Sequence, residues 1–186
     1  MINEKDMHLT DYQTPVEVAR YMVSLLPAGI NGEVLEPTPG IGNIVRELQR
    51  AGYQVCAADD FFLLEHRSFP ACVMNPPFSS KYAFLNNAKE DYSKHGMRLG
   101  YEILKQCMIM SDIIVALMPW FTISDSDVRL RMLKNYGLVS VTALPRKTFQ
   151  FARIQTCVIY LQKDFKGKTE FIVYDLIGKL DIPQLF

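Results

Sequence analysis

The sequence has no excess of charge of either sign. Among 186 residues, 20 are Lys or Arg and 20 are Asp or Glu, so the formal net charge is zero. Non-specific affinity for nucleic acid comes mainly from basic side chains that neutralise phosphates. The composition therefore argues against a protein that coats nucleic acid through its overall field, and it leaves open a local basic patch.

The sequence also lacks long hydrophobic runs and closely spaced metal ligands. The longest apolar run, residues 113–121, contains Pro119 and is too short to span a bilayer. Residues 1–15 are polar, unlike a secretory signal peptide. The four cysteines are far apart in apolar stretches and the three histidines are scattered. We therefore expect reduced core cysteines, no metal site and a cytoplasmic protein that does not enter a membrane.

Short β-branched runs that alternate with helical stretches dominate the rest of the chain. The pattern predicts strands at 33–37, 53–59, 70–75, 112–120, 138–144 and 154–163, with an edge strand at 169–176. It predicts helices at 14–27, 42–52, 81–110 and 124–137, the third interrupted at His95-Gly96. Pro15 is expected at the first position of the first helix, and Ser124 or Asp125 at the N-cap and Gly137 at the C-cap of the last.

The predicted strands are continuously apolar, which is typical of a parallel sheet covered on both faces. Only a loop joins the strands at 138–144 and 154–163, so these two should pair antiparallel. The expected fold is an α/β, mostly parallel, doubly wound sheet that ends in an antiparallel pair. We interpret residues 1–186 as a single domain, because no linker or repeat divides the chain.

A glycine loop follows the first predicted strand, in the stretch EPTPGIGN. Gly40 and Gly42 let the backbone approach a ligand closely, and Glu36 adds an acid that suits a cationic group. Val45 stands where a dinucleotide fingerprint would have its third glycine. The second strand ends at Asp59 and Asp60, which are placed to accept ribose hydroxyls. The alternative is an ordinary tight turn between a strand and a helix.

The stretch NPPF, residues 75–78, ends the third predicted strand. Asn75 brings a side-chain carbonyl, and prolines have no N–H to compete for the backbone carbonyls. Two fixed acceptors can bind both hydrogens of one NH2 group, and Phe78 offers a face to a planar ring. The alternative is a stiff turn. The predicted sheet brings this stretch and the glycine loop to one crevice, which favours a site.

NPPF together with EPTPGIGN resembles the S-adenosylmethionine-dependent amino-methyltransferases, especially the N6-adenine DNA methyltransferases. YQTP, at Tyr12 to Pro15, looks like the cofactor motif that precedes the glycine motif in one subgroup. DIIVALMPWF, LPRKTF and TCVIYLQK look like later strands of type I modification subunits. The resemblance covers most of the chain and implies a Rossmann-like methyltransferase fold, S-adenosylmethionine as cofactor and adenine in DNA as substrate, reached by base flipping.

The resemblance also implies a role for individual residues. The methionine end of the cofactor would be bordered by Tyr12, Thr14 and Pro15. Its loop would comprise Glu36, Pro37, Gly40 and Gly42. Asp59 would hold the ribose, and Asp60 and Phe61 would contact the adenine ring of the cofactor, although the shortened segment here lets Asp59 and Asp60 exchange roles.

At the catalytic site, Asn75 and the carbonyl of Pro76 would accept hydrogen bonds from the target amine, with Pro77 and Phe78 completing the motif. Phe78 would stack on the target base. Phe149 would cover its other face or else be an ordinary core aromatic. Candidate phosphate contacts, or else plain solvated loop residues, are Arg146, Lys147 and Arg153.

We expect this sequence to depart from the family by lacking a separate target-recognition region, because residues 164–186 are too short to form one. Specificity is therefore expected to come from short loops, to come from a separate specificity or DNA-binding subunit, or to be weak. Two other functions stay open. In the first, the chain is a methyltransferase that acts on another amine, in a protein glutamine or an RNA base. In the second, it is a binding module that has kept the fold without the activity.

Overall fold

The centre of the molecule is one mixed β-sheet. The computed structural model describes residues 12–65, 67–78, 92–149 and 154–174. Within these residues the strands are β1 (Glu33–Glu36), β2 (Gln54–Ala57), β3 (Phe69–Met74), β4 (Ser111–Pro119), β5 (Leu138–Ala143), β6 (Thr156–Gln162) and β7 (Glu170–Val173). The α-helices are α1 (Val16–Ser24), α2 (Asn43–Arg50), α3 (Leu99–Met110), α4 (Phe121–Ser124) and α5 (Asp127–Tyr136).

The strands lie in the order β2-β1-β3-β4-β6-β5-β7. β1 pairs parallel with β2 and β3, β3 with β4, and β5 with β7. β6 runs antiparallel to both of its neighbours, β4 and β5. The expected mostly parallel sheet, its antiparallel pair and its edge strand are confirmed.

The strand order places a topological switch between β1 and β3. Within the sheet, β2 lies next to β1 on one side and β3 lies next to β1 on the other side, so the chain reverses its direction of winding after β2. The connection to β2 packs α2 on one face of the sheet, and the connection to β3 packs the 3₁₀ helix Phe61–Leu63 on the other face. Such a reversal opens a crevice at the carboxyl ends of the strands. The glycine loop and NPPF follow β1 and β3 directly, so the two predicted motifs begin on adjacent strands.

Each face of the sheet is covered by helices, as the continuous apolar strands predict. Cys72 and Met74 pack with α3 and α5 on one face. Ala71 and Val73, which alternate with them along β3, pack with α1 and α2 on the other. The four cysteines are free thiols, three of them buried. None of the described helices is long and apolar enough to cross a membrane.

Two helix starts differ from their predicted positions. α1 begins at Val16, because Pro15 has an extended ψ of 146° and serves as the N-cap. The predicted cap of the last helix was wrong. Ser126 is extended and its Oγ accepts a hydrogen bond from the Arg129 N–H at 3.3 Å. Ser124 instead ends the short helix α4, for which Asp125 is the C-cap.

Two other predicted features of the helices are confirmed. Gly137 is the C-cap of α5 with a φ of 137°. The segment Tyr92–Arg98 is a 3₁₀ helix broken at Gly96, where φ is 50°. The predicted helical stretch at 81–91 lies outside the described residues.

Candidate functional site

The glycine loop after β1 lies against the N-terminal segment. Gly40 and Gly42 have φ values of 52° and 82°, which favour glycine. The Gly42 N–H donates to the Pro39 carbonyl at 2.7 Å and closes the turn before α2. Gln13 Oε1 accepts from the Ile41 N–H at 3.1 Å, and a Cβ on Gly40 would lie 2.4 Å from this oxygen. Only glycine fits this close approach without displacing Gln13.

Glu36 is a fully buried acid at the end of β1, with Pro37 buried beside it. Its Oε1 accepts hydrogen bonds from the Thr38 N–H at 2.9 Å and the Thr38 hydroxyl at 3.4 Å. Its Oε2 is buried and has no hydrogen-bond partner among the described residues. Burial raises the pKa of Glu36 to about 8. A buried carboxyl with one unpaired oxygen fits a cationic or N–H donor on a ligand.

The two acids after β2 have different environments. Asp59 is exposed, whereas Asp60 is half-buried and caps the 3₁₀ helix Phe61–Leu63 by accepting from the Phe62 N–H at 3.1 Å. Phe61 is 5% exposed and packs in the core. Asp59 therefore presents its carboxylate to solvent at the carboxyl end of β2, next to the glycine loop on β1.

The amide of Asn75 is held by the N-terminal segment. Its Nδ2 donates to the Tyr12 carbonyl at 2.9 Å and to Thr14 Oγ1 at 3.0 Å. A backbone carbonyl can only accept, so these contacts assign the nitrogen to this side of the amide. Oδ1 accepts no hydrogen bond from the described residues and remains available as an acceptor. Pro76 is buried, and Pro77 and Phe78 are half-buried.

Thr38 connects the two loops of the site. Its hydroxyl lies 3.2 Å from the backbone carbonyl oxygen of Asn75 and 3.4 Å from Glu36 Oε1. Its single hydrogen can donate to either acceptor. The carboxyl end of β1 is therefore linked by hydrogen bonds to the carboxyl end of β3.

A small aromatic cleft lies next to Tyr12, the residue whose carbonyl bonds Asn75. It is lined by Tyr12, Phe78, Phe149, Ile154 and Thr156. The structure brings together the two phenylalanines that the sequence assigned to opposite faces of a base. Phe149 is 7% exposed and also packs in the core, so it belongs to both the cleft and the core.

The sequence pattern did not predict a structural role for Gly100, which lies in the first turn of α3. A Cβ at this position would lie 2.9 Å from the Pro77 carbonyl oxygen and 3.6 Å from the Cα of Phe78. The helix thus packs directly on the backbone of NPPF. A glycine inside a helical pattern is the one signal in the sequence that points to such an approach.

Arg146 and Lys147 are exposed in the 3₁₀ helix Arg146–Thr148, just before Phe149. They are therefore close in sequence to one wall of the aromatic cleft. Arg153 lies outside the described residues. Within the described ranges, no group of three or more His, Cys, Asp or Glu side chains is arranged to hold a metal ion.

Solved structures of methyltransferases share this fold. No protein-family model matches the chain, and no curated protein matches its sequence. A type I restriction-modification methyltransferase subunit from Streptococcus thermophilus is similar over 88% of this chain and 47% of its own, with a TM-score of 0.63 and 16% identity. The chain thus spans about half the length of that subunit.

Two further structures support the same fold. One, from Listeria monocytogenes, is provisionally assigned as a class I S-adenosylmethionine-dependent methyltransferase; it matches over 88% of this chain and 65% of its own, with a TM-score of 0.58 and 14% identity. The other, from Pyrococcus horikoshii and provisionally assigned as an RNA methyltransferase, matches over 84% and 89%, with a TM-score of 0.51 and 17% identity. The chain has a Rossmann-like methyltransferase fold, as expected.

Proposed function

We propose that this chain, which has a methyltransferase fold, transfers a methyl group from S-adenosylmethionine to the N6 amine of adenine in DNA. The observation that carries the proposal is the Asn75 amide. Its nitrogen is bonded to Tyr12 and Thr14, while its oxygen is left as an acceptor near an aromatic cleft. This arrangement suits an NH2 group on a planar ring.

The residues at the ends of β1 and β2 fit the cofactor. S-adenosylmethionine supplies a methyl group that is already activated by its sulfonium charge. The unpaired Oε2 of Glu36 would accept from its cationic amino-acid end, which Tyr12, Thr14 and Pro15 border. Gly40 and Gly42 would allow close backbone approach, and the exposed carboxylate of Asp59 would accept the ribose hydroxyls.

Asn75 Oδ1 and the Pro76 carbonyl would accept the two N–H groups of the adenine amine. Accepting both hydrogens draws the nitrogen toward a tetrahedral geometry and directs its lone pair at the methyl group. As the nitrogen takes the methyl group, the bond from that carbon to the sulfonium sulfur would break and leave the cofactor as a neutral thioether. The nitrogen would release one proton to solvent. Because the methyl group is already activated, positioning supplies most of the rate enhancement and no strong base is needed.

The cleft would hold an extruded base, since a base inside a duplex cannot reach Asn75. Phe78 and Phe149 would cover its two faces. Arg146, Lys147 and Arg153 would contact phosphates beside the flipped nucleotide. The zero net charge supports a role for a separate specificity subunit, so transfer to naked DNA by this chain alone is expected to be slow.

A second candidate function is methyl transfer to an amine in RNA or in a protein glutamine. Asn75 and Pro76 would bind only the NH2 group, which these substrates share with adenine. The likeness to a structure named for RNA methylation keeps the RNA substrate open. The aromatic cleft favours a planar base over a glutamine side chain.

One experiment separates these substrates. The protein is incubated with methyl-labelled S-adenosylmethionine and, in turn, with unmethylated DNA, RNA and extract protein. We expect label in DNA, its loss in Asn75→Ala, and no change in Asn135→Ala, which makes the same substitution at an exposed site on α5. Label in RNA or protein alone supports the second function, and cofactor binding without transfer to any acceptor contradicts both.

A further inference from the structure

The side-chain amide of Asn75 can adopt two orientations, of which only one supports the proposed chemistry. With Nδ2 bonded to Tyr12 and Thr14, Oδ1 is left to accept a hydrogen from the target amine. After a 180° rotation the amide's own NH2 would face the NH2 of the substrate, and two donors would oppose each other. A residue that holds the amide in the first orientation therefore controls the acceptor.

The two hydrogen bonds from Asn75 Nδ2 constrain the amide in different ways. The Tyr12 carbonyl, 2.9 Å away, excludes the rotated amide because it would then face Oδ1. Thr14 Oγ1, 3.0 Å away, accepts the second hydrogen and fixes the plane of the amide. Thr14 is 4% exposed, so water has little access to replace this contact.

Thr14 is itself held in place from another side. Its backbone carbonyl accepts a hydrogen bond from Asn43 Nδ2 at 2.8 Å, and Asn43 is the first residue of α2. The backbone of Thr14 is thus held by the helix that follows the glycine loop, independently of Asn75. A shift of the Thr14 backbone to follow a rotated Asn75 would break this bond.

We propose that Thr14 is a positioning residue for methyl transfer: its hydroxyl accepts a hydrogen from Asn75 Nδ2 and keeps Oδ1 directed at the substrate amine. This role rests on the proposed function and is separate from the contact with the cofactor suggested for Thr14. It assigns to the segment before α1 a part in orienting the catalytic amide.

The kinetic test uses Thr14→Val, which keeps the shape and removes the acceptor, and Thr14→Ser, which keeps the hydroxyl. We expect kcat to fall about tenfold in the Val variant, as for one lost hydrogen bond, and to return to within about twofold of the original in the Ser variant. Thr169→Val, which removes a threonine hydroxyl bonded to Leu138 at the opposite end of the sheet, should leave kcat unchanged. Equal kcat in the Val and unaltered proteins overturns the inference.

A second readout does not depend on activity. The Asn75 side-chain amide, assigned in nitrogen-15 spectra by its loss in Asn75→Ala, should exchange with solvent more slowly than that of exposed Asn135. Thr14→Val should speed this exchange, and Thr14→Ser should not. Unchanged exchange in the Val variant overturns the role of Thr14, whereas absence of transfer to every acceptor, with the exchange pattern intact, overturns only the proposed function.

Discussion

At the scale of single residues, Glu36 shows how burial and ligand binding are linked. Burial holds the pKa of this carboxyl at about 8, compared with 4.5 for a glutamate in water. The folded state therefore binds more protons than the unfolded state between these values, and this group lowers stability as pH rises through that window. A cationic ligand beside Oε2 would offset the loss.

Glu36→Gln should remove this dependence. Between pH of about 5 and about 8.5, the unaltered protein should lose on the order of 4 kcal/mol of unfolding free energy relative to the Gln variant. Urea denaturation at both pH values measures the difference. Glu33→Gln, at the partly exposed start of the same strand, is the matched control. If the unfolding free energies of Glu36→Gln and of the unaltered protein change equally between the two pH values, Glu36 is not a buried neutral carboxyl.

Gly100 gives a second prediction for one residue. Replacing a helical glycine by alanine usually adds up to about 1 kcal/mol of stability. Here the Cβ would lie 2.9 Å from the Pro77 carbonyl oxygen and displace NPPF. Gly100→Ala should therefore lower kcat about tenfold or more while S-adenosylmethionine affinity, measured by calorimetry, stays within about twofold. An unchanged kcat would show that α3, and not NPPF, moves to make room for the Cβ.

The residue scale also separates what sequence can predict from what it cannot. Asn75, Gly40 and Gly42 could be predicted as site residues because each belongs to a contiguous motif. Gly100 and Thr38 were missed, and so was the contact from Thr14 to Asn75, because these contacts join segments far apart in the chain. Residue type alone did not indicate that Asp60 caps a 3₁₀ helix while Asp59 stays exposed.

At the scale of elements, β1 and β3 carry the candidate site because they are neighbours that begin opposite windings of the sheet. Continuous apolar strands, glycine stops and prolines predicted these elements to within a few residues. The start of α5 was misplaced because three residues of types that cap helices follow one another, and the sequence pattern favoured Ser124 or Asp125 over Ser126. Only the backbone geometry distinguishes them: Ser126 is extended, with φ of −153°.

The corrected cap is testable by comparing two serines. Ser126→Ala should lower the free energy of unfolding by about 1 kcal/mol, because the Arg129 N–H loses its acceptor. Ser124→Ala should change it by less than about 0.5 kcal/mol, since the Ser124 side chain is exposed. Urea denaturation of the two variants measures both values. A larger loss for Ser124→Ala would restore the original assignment.

At the scale of the whole molecule, charge limits the DNA binding that we propose. The formal net charge is zero, so on that proposal affinity would come from local clusters such as the exposed Arg146 and Lys147 near the cleft. The cleft itself depends on β3, the segment before α1 and the loop before β6 coming together. The sequence pattern predicted the fold and two motifs. It could not predict how β3, the segment before α1 and the loop before β6 pack together, because the complete sheet sets that packing.

The double variant Arg146→Ala, Lys147→Ala tests this charge distribution. If both contact phosphates, the slope of log Kobs against log salt for duplex DNA should become shallower by about 2. The matched double variant Lys166→Ala, Lys168→Ala removes two exposed charges beyond β6, at the opposite end of the sheet, and should leave the slope unchanged. Fluorescence anisotropy at several salt concentrations measures the slope. Equal slopes for the two double variants would contradict the contact.

The chemical identity of the product tests the central claim most directly. DNA incubated with the protein and S-adenosylmethionine is digested to nucleosides and analysed by mass spectrometry. The account predicts N6-methyladenine, absent with Asn75→Ala and retained with Asn135→Ala. A methyl group on another position of DNA, or none on any acceptor amine while the cofactor binds, would contradict it.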